Sequence, residues 1–322
     1  MPSSRNSLTA IILLCLVIVG IAVVVRVNQI RPFSENNTTK IAPTFRPSQN
    51  LSSKLDPVFL EETAVQSQKK RSPVLMPSGV PDITATSYIV GNTKTGEIYL
   101  ERNSRTVMPV ASMSKLVTAF VATDIFDATS TIEITDQALL TPPDKSNLRA
   151  GEKFSLKEIL DPLLLNSSNV AAEAISYSTD GRSDFLYLMK SYAWEIGMPS
   201  TFFADPSGVS PQNVASARDL FNLAKYLVNY RPDILVLTRT ASSSVATTTD
   251  HGSHIFSSTH PFVRDSRFIG GKTGRTPEAG ETMMTILNIS NQPIAFIILN
   301  SNYGSREWDT KLLVNELLKK AI

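Results

Sequence analysis

The stretch RFIGGKTGRT (267–276), followed by ETMMTILNIS (281–290) and QPIAFIILNS (292–301), contains three apolar runs in close succession. Runs of this length, bounded by glycine, proline and asparagine, predict buried strands. The residues from Asn291 to Pro293 mark a turn between the last two runs. Three strands joined by such short connections indicate an antiparallel sheet near the end of the chain.

Towards the N-terminus, two further β-rich runs at 86–92 and 96–102 predict a hairpin. Helical periodicity predominates between this hairpin and the late strands, and it returns at the C-terminus. The sequence thus predicts an α+β fold, in which an antiparallel sheet is flanked by helices and accompanied by a helical lobe. The predicted helices are at 112–126, 155–165, 169–178, 183–196, 217–231 and 305–322.

The first part of the chain differs from the rest. Residues 8–25 are uncharged and apolar, which predicts a transmembrane anchor after a short cytoplasmic N-terminus at 1–7. A cleaved signal peptide is the alternative, although the apolar run continues past the small residues Gly20 and Ala22. Residues 26–75 are rich in Pro, Ser and Asn and predict a flexible linker, which leaves 76–322 as the folded domain.

Composition excludes several kinds of chemistry. The formal net charge of +2 gives no indication of a nucleic-acid partner. The single cysteine, Cys15, lies in the apolar span, so the folded domain has no thiol nucleophile, disulfide or cysteine-ligated zinc. His251, His254 and His260 cluster, but no carboxylate accompanies them at a recognisable ligand spacing. We therefore expect a polar loop there, with no metal and no cofactor.

Ser112 and Lys115 are three residues apart in the segment PVASMSKLVTA (109–119). Residues at this spacing share one face of a helix, which lets the hydroxyl and the amine meet. A serine beside a lysine acts as a nucleophile with its base once the lysine has lost its proton. Burial and a second cation nearby would lower the pKa of the lysine. Alone, the pattern fits a solvated helix start equally well.

Two more motifs follow. Ser167-Ser168-Asn169 lies between two helical patterns, and in isolation it is typical of a plain helix N-cap. Lys272-Thr273-Gly274 lies on the first late strand, where Gly274 would let a ligand lie close to the backbone. The preceding glycine suggests a phosphate-binding loop, but that pattern needs a glycine where Ser266 stands.

The order and separation of the three motifs are far more specific than any one of them. Ser-X-X-Lys, then Ser-X-Asn, then Lys-Thr-Gly on a late strand is the motif set of penicillin-interacting enzymes. The sequence resembles the D-alanyl-D-alanine carboxypeptidases of the serine peptidase S11 family, which are low-molecular-mass penicillin-binding proteins. This resemblance covers about residues 80–322. It implies a penicillin-binding/β-lactamase-like fold and a peptidoglycan stem peptide ending in D-Ala-D-Ala as substrate, with β-lactams as inhibitors.

The resemblance also implies catalytic roles. Ser112 attacks the carbonyl carbon of the penultimate D-Ala and forms an acyl-enzyme, with Lys115 as the base. Ser167 relays a proton to the leaving amine, and Asn169 holds either the substrate's peptide group or Lys115. Because the substrate is outside the cytoplasmic membrane, a single-pass protein with an extracytoplasmic catalytic domain is expected.

Substrate binding is assigned in the same way. Lys272 supplies positive potential for the terminal carboxylate and helps to keep Lys115 neutral, and Thr273 donates a hydrogen bond to that carboxylate. The backbone N–H groups of Ser112 and Arg275 form the oxyanion hole.

The chain departs from the family pattern in two places. The middle motif commonly reads Ser-Gly-Asn-Asp, whereas here Ser168 and Val170 stand where glycine and the acid are usual. We expect Ser168 to crowd the loop and this pair to affect the substrate range. The chain also ends soon after its last helix, so the C-terminal β-rich domain and amphipathic tail of many relatives are not expected, and the N-terminal span would replace that tail as the anchor.

Three alternatives share these motifs. A class A β-lactamase needs a glutamate for deacylation, and residues 198–215 contain none. A DD-endopeptidase of peptidoglycan cross-links would use the same machinery. A catalytically idle, membrane-tethered peptidoglycan-binding protein would not need all six polar motif residues to be present.

Overall fold

The structure is a computed structural model that describes residues 83–142 and 145–320. The predicted N-terminal span at 8–25 and the linker at 26–75 lie outside these residues. Among the helices that are described, none is both long enough and apolar enough to cross a bilayer.

The predicted strands and helices occur in the predicted order, and the helices at Asp136–Leu139 and Pro232–Arg239 were not predicted. In the described ranges, the strands are β1 (Ser87–Asn92), β2 (Ile98–Arg102), β3 (Val107–Pro109), β4 (Thr131–Glu133), β5 (Lys153–Ser155), β6 (Val214–Ser216), β7 (Ser242–Val245), β8 (His254–Ser257), β9 (Phe268–Thr276), β10 (Gly280–Ile289) and β11 (Gln292–Ser301). The α-helices there are α1 (Ser114–Ile125), α2 (Asp136–Leu139), α3 (Leu156–Leu164), α4 (Asn169–Tyr177), α5 (Arg182–Glu195), α6 (Ala217–Tyr230), α7 (Pro232–Arg239) and α8 (Arg306–Lys320).

The main sheet has five antiparallel strands in the order β2-β1-β11-β10-β9. The predicted hairpin and the three late strands are therefore confirmed as neighbours in one sheet. Successive residues of β1 and β11 alternate between two hydrophobic clusters, one for each face of the sheet. Because both faces are covered, the late strands read as nearly continuous apolar runs.

Helices cover the two faces unequally. The helix α8 covers one face with Leu313 and its neighbours. The larger cluster on the other face contains the helical block and surrounds α1, whose residues from Ser114 to Ala122 are all buried. The prediction of helices flanking the sheet, with a helical lobe beside it, is confirmed. The capping box of Ser155 and Glu158 is also present at the start of α3.

Short strands that the sequence did not predict form three small two-stranded sheets, β3–β6, β4–β5 and β7–β8. The polar loop expected around the histidines is partly wrong, because His254 begins β8 and pairs in register with Val245 of β7. A polar run of this kind lacks the apolar alternation by which strands are recognised.

Candidate active site

Ser112 lies in a single turn of 3₁₀-helix, Ala111–Met113, directly before α1. The turn follows β3 through Ala111, which has a positive φ of 50°. Ser114 donates a hydrogen bond to the Ala111 carbonyl at 3.1 Å, and the Asn213 amide donates to the Ser114 hydroxyl at 3.0 Å. An uncommon backbone conformation is thus held by side-chain hydrogen bonds next to the candidate nucleophile.

Lys115 is fully buried, and its amine lies within hydrogen-bonding distance of three oxygen atoms. The Nζ atom lies 3.0 Å from Ser112 Oγ, 2.8 Å from Asn169 Oδ1 and 2.6 Å from the carbonyl oxygen of Ser207. A neutral amine has two N–H bonds and one lone pair. In its charged form Lys115 donates to all three oxygens. In its neutral form the amide oxygen and the carbonyl accept the two N–H bonds, and the lone pair faces the Ser112 hydroxyl.

The two serines of the middle motif make different contacts. Ser167 has a positive φ of 63°, and its hydroxyl accepts a hydrogen bond from Lys272 Nζ at 2.8 Å. Ser168 is the N-cap of α4 and accepts a hydrogen bond from the Ala171 N–H at 3.0 Å. The N-cap interpretation of the motif is therefore confirmed for Ser168, while Ser167 lies beside Lys272. Ser168 does not crowd the loop as expected, because its side chain caps a helix and is fully buried.

Lys272 on β9 lies beside the first lysine. Its Nζ donates to Ser167 Oγ at 2.8 Å and to the Thr273 carbonyl at 2.9 Å. Burial, followed by the positive charges of Lys115 and Arg306, holds the pKa of Lys272 well below its ordinary value of 10.5. The two lysines thus lie close enough for a positive charge on Lys115 to lower the pKa of Lys272.

The rest of the third motif is also at this site. Thr273 is buried, and its hydroxyl lies 3.0 Å from that of Thr259. A Cβ on Gly274 would lie 3.0 Å from the Ser112 nitrogen and 2.5 Å from the Thr282 hydroxyl. The space at Gly274 is therefore needed by the protein's own atoms, from β10 and from the 3₁₀ turn. The Arg275 side chain is half exposed against the ring of Tyr303.

Arg306 at the start of α8 was not identified from the sequence. Its Nη1 donates a hydrogen bond to the Gly274 carbonyl at 3.1 Å, and it contributes to the positive potential at Lys272. It was missed because it follows the third motif by about thirty residues. It also belongs to an amphipathic helix whose sequence indicates only packing against the sheet. The cationic group at this end of the site is therefore larger than the motifs indicate.

Asp205 organises the loop that holds Lys115. Its Oδ1 atom accepts hydrogen bonds from the backbone N–H groups of Ser207 and Gly208 at 2.7 and 2.5 Å. Its Oδ2 atom accepts from the Ser210 N–H at 2.6 Å. These bonds fix the Ser207 carbonyl that accepts from Lys115. The Asp-Pro-Ser-Gly sequence could have indicated a turn, but not its contact with a lysine about ninety positions earlier.

We predict that Gly208→Ala disrupts the nucleophile turn. Gly208 has φ +83°, and a Cβ there would lie 2.0 Å from the Ala111 carbonyl oxygen, an overlap that requires backbone movement. Gly304→Ala is the matched control, since Gly304 has φ +78° and nothing within 4 Å of such a Cβ. The control should lose about 1–2 kcal/mol of stability, and Gly208→Ala should lose more and react more slowly with benzylpenicillin. Equal effects in urea unfolding would contradict this.

The three histidines do not form one group. His254 pairs with Glu152 at 2.9 Å, and His251 lies 3.8 Å from Glu158, so carboxylates from a distant segment accompany them. His260 lies apart from these two histidines and stacks on Phe268, the first residue of β9. No group of three or more His, Cys, Asp or Glu side chains in the described ranges is arranged to hold a metal ion.

His260 should make folding stability sensitive to acid. Burial lowers its pKa to about 3, since the imidazolium would lose its water, while Nε2 lies 2.9 Å from the Met284 carbonyl oxygen. The unfolded chain, with an ordinary histidine pKa of about 6.5, takes up a proton that the folded chain does not. Stability contributed by this group is therefore complete above pH 6.5 and falls as the pH drops towards 3.

The predicted loss is about 2 kcal/mol between pH 7.5 and pH 5, at roughly 1.4 kcal/mol per pH unit below 6.5. Urea unfolding of His260→Gln at both pH values should show a smaller loss on acidification than the wild type. His254→Gln serves as the comparison at a histidine that is paired with a carboxylate. An unchanged pH dependence in His260→Gln would contradict the assignment.

Comparison with known proteins supports the same family. A D-alanyl-D-alanine endopeptidase of Escherichia coli is 30% identical over 230 residues, which are 69% of this chain and 73% of the relative. A D-alanyl-D-alanine carboxypeptidase of Mycobacterium tuberculosis is 26% identical over 206 residues, 64% of this chain and 71% of the relative.

Among solved structures, a D-alanyl-D-alanine carboxypeptidase from Mycobacterium tuberculosis superposes with a TM-score of 0.68 at 23% identity, covering 75% of this chain and 94% of that one. The fold is therefore that of penicillin-binding DD-peptidases. The family model for D-alanyl-D-alanine carboxypeptidases matches residues 74–303. Together with the geometry around Ser112, this match shows that the chain belongs to the D-alanyl-D-alanine carboxypeptidase family of serine peptidases, peptidase S11.

Proposed function

We propose that this protein is a serine-type D-Ala-D-Ala carboxypeptidase that removes the terminal D-Ala from peptidoglycan stem peptides. The observation that carries this proposal is the contact between Lys115 Nζ and Ser112 Oγ at 3.0 Å in a buried site, with the Lys272–Ser167 pair beside it. These contacts support the assignment of Ser112 as nucleophile, Lys115 as base and Ser167 as proton relay.

In the acylation step, Ser112 Oγ bonds to the carbonyl carbon of the penultimate D-Ala, and its proton moves to Lys115 Nζ. The oxyanion is stabilised by the backbone N–H groups of Ser112 and Arg275. The carbon–nitrogen bond then breaks. The proton that Lys115 took from Ser112 passes through the hydroxyl of Ser167, which Lys272 holds at 2.8 Å, to the leaving amine. Lys115 is thus neutral again when free D-Ala departs.

In the second step, water attacks the acyl carbon and gives up one proton to Lys115. The bond to Ser112 Oγ breaks, the serine recovers its proton, and the shortened peptide leaves as a carboxylic acid. A β-lactam follows the same first step, but its ring opens without releasing a leaving group, so an adduct remains. Asp205 is a poor candidate for an additional deacylating base because its two oxygens already accept backbone N–H bonds.

Recognition of the terminal carboxylate is assigned to the cationic end of the site. We assign the positive potential to Arg306, and to Lys272 once a bound carboxylate beside it favours its charged form. The Thr273 hydroxyl provides a hydrogen bond. Charge-assisted hydrogen bonds of this kind are stronger than neutral ones. A peptide ending in an amide would lose these interactions.

The decisive experiment is the release of D-Ala from a stem pentapeptide by the purified protein, with benzylpenicillin labelling as a parallel readout. We expect both turnover and a covalent adduct. A folded protein that gives neither would be an idle peptidoglycan-binding protein. Rapid hydrolysis of the drug without an adduct would favour a β-lactamase.

DD-endopeptidase activity on peptidoglycan cross-links is the second candidate. Relatives at 28% to 32% identity have the name D-alanyl-D-alanine endopeptidase. The bond chemistry is the same, and only the group attached to the leaving amine is larger. Digestion of purified cross-linked dimers beside monomeric pentapeptides would show which substrate has the higher kcat/KM.

We further propose that the apolar segment at 8–25 anchors the protein in the cytoplasmic membrane and that the linker at 26–75 carries the catalytic domain outside it. The uncharged composition of the segment and the extracytoplasmic location of the substrate class support this topology. In intact cells, a membrane-impermeant fluorescent penicillin should label the full-length protein. Labelling only after lysis, or recovery of the full-length chain in the soluble fraction, would contradict it.

A further inference from the structure

A buried glutamate, Glu281, lies at the cationic end of the site and belongs to none of the three motifs. It is near the start of β10, where it pairs with Arg275 of β9 on one side and with Ser301 of β11 on the other. Only 5% of its side chain is exposed. A carboxylate that is buried this deeply needs cations or hydrogen-bond donors around it, so its neighbours indicate its role.

The two oxygens of Glu281 face two arginines. Oε1 lies 3.8 Å from Arg275 Nη1, and Oε2 lies 3.9 Å from Arg306 Nε. Oε2 also accepts a long hydrogen bond from the backbone N–H of Arg306 at 3.4 Å. Arg306 is the first residue of α8, where the backbone N–H has no partner within the helix and the helix dipole favours a negative charge. One carboxylate thus connects β10 to the start of α8.

Glu281 and Gly274 hold Arg306 at different points. The Gly274 carbonyl accepts from Nη1 at 3.1 Å, at the tip of the guanidinium, whereas Glu281 lies at Nε and at the backbone. Apolar residues such as Leu313 pack α8 onto the sheet. Hydrophobic contact is non-directional, so it does not determine where the side chain of Arg306 points. The polar contacts of Glu281 and Gly274 supply that direction.

Charge gives Glu281 a second effect on the same arginine. Burial lowers the pKa of the Arg306 guanidinium, Glu281 opposes this shift, and Arg275 adds to it. The two guanidiniums therefore repel each other, and Glu281 is a buried counterion that both of them share. Glu307 also raises the pKa of Arg306, but its carboxylate is half exposed and lies 2.6 Å from Lys311. Glu281 is thus the better placed of the two acids.

We propose that Glu281 is a positioning residue for recognition of the substrate's terminal carboxylate, because it holds the Arg306 guanidinium beside Lys272 and offsets the repulsion from Arg275. Glu281 acts through Arg306 and makes no contact with the substrate. Without its negative charge, Arg306 turns towards solvent and the carboxylate loses a partner. This inference rests on the proposed function, in which the carboxylate binds at this end of the site, and it adds a residue that no motif contains.

The test compares ligands with and without the carboxylate. One pair is a stem pentapeptide ending in D-Ala and its C-terminal amide, and the other is benzylpenicillin and its methyl ester. In the wild type we expect the carboxylate form of each pair to react faster. In Glu281→Gln, this preference in kcat/KM or in acylation rate should fall by about fivefold to tenfold, a part of what a hydrogen bond to a charged group contributes. The amide and the ester should react within about twofold of their wild-type rates.

Further variants test whether the effect passes through Arg306. Glu281→Gln should lower the preference much less in an Arg306→Gln background, since the guanidinium that it positions is then absent. Glu281→Asp keeps the charge on a shorter side chain and should give an intermediate preference. Glu316→Gln is the matched control, because Glu316 is also largely buried and pairs with Lys319 at 2.7 Å near the far end of the same helix. This control should leave both preferences unchanged.

The outcomes distinguish this inference from the proposed function. An unchanged preference in Glu281→Gln, or one that rises because the carboxylate meets more positive charge, would overturn the positioning role. Equal slowing of all four ligands would show only a structural role and would also overturn it. If Glu281→Gln does not fold, a wild-type preference in Glu281→Asp would overturn it instead.

The two ligand pairs also separate the two proposals. If benzylpenicillin acylates the protein but the pentapeptide is not hydrolysed, the peptidase function fails, and the penicillin pair still decides the role of Glu281. If neither ligand reacts with the folded protein, both proposals are overturned.

Discussion

Ser112→Ala is expected to abolish the covalent adduct with benzylpenicillin and to lower kcat/KM for D-Ala release by about 10⁴-fold or more. The Ser112 hydroxyl lies 3.0 Å from the Lys115 amine, the base assigned to it. The change removes one oxygen and leaves the 3₁₀ turn otherwise intact, so folding should be preserved. Intact mass spectrometry after incubation with the drug measures the adduct directly.

Ser191→Ala is a suitable control because this serine lies on α5 and donates a hydrogen bond to the Tyr187 carbonyl of the same helix. It should form the adduct as fast as the wild type. An adduct that persists in Ser112→Ala, mapped to another residue by peptide mass analysis, would refute the assignment of the nucleophile. The same result would also remove the reason for assigning Lys115 as the base.

Lys115→Ala should slow acylation by about 10²–10⁴-fold, the usual contribution of a general base. Lys115→Arg sharpens the prediction, because a guanidinium retains the positive charge but does not lose its proton in proteins. If Lys115 acts as a base, both variants should be almost equally slow in stopped-flow acylation by a fluorescent penicillin. A Lys115→Arg enzyme close to wild-type rate would show instead that only positive charge is required there.

The stability of each Lys115 variant has to be measured together with its acylation rate. Lys115→Ala leaves Asn169 Oδ1 and the Ser207 carbonyl without their donor, and a buried acceptor that loses its partner costs about 1–3 kcal/mol. Thermal unfolding will therefore separate a slow but folded enzyme from an unfolded one. Benzylpenicillin should raise the Tm of the wild type and leave that of Ser112→Ala nearly unchanged.

The sheet and the helices were predictable because their sequences repeat with regular periods. Apolar runs in β10 and β11 and the capping box at Ser155 are local signals, and the structure confirms them. The short strands β7 and β8 lack such a period and depend on tertiary contacts. The meeting of the three motifs was inferred from the family resemblance, since no local rule brings Lys115, Asn169 and Lys272 together.

Contacts between residues that are far apart in the sequence could not be predicted. Arg306 reaches the Gly274 carbonyl only because α8 packs across the sheet next to β11. Ser168 could have been assigned as a cap or as part of a catalytic motif, and it is the neighbouring Ser167, with its positive φ, that turns towards Lys272. Separating these two roles requires backbone geometry.

The arrangement of the central strands has a consequence for biosynthesis. The strand β1 pairs with β11, and these partners are separated by about 200 residues. Such distant pairing gives a high contact order and slow folding. The strand β9 joins the sheet only through β10 and β11. During synthesis, Ser112 therefore leaves the ribosome long before the strands that complete its site. The nascent chain should become reactive towards penicillin only after nearly its whole length is free to fold.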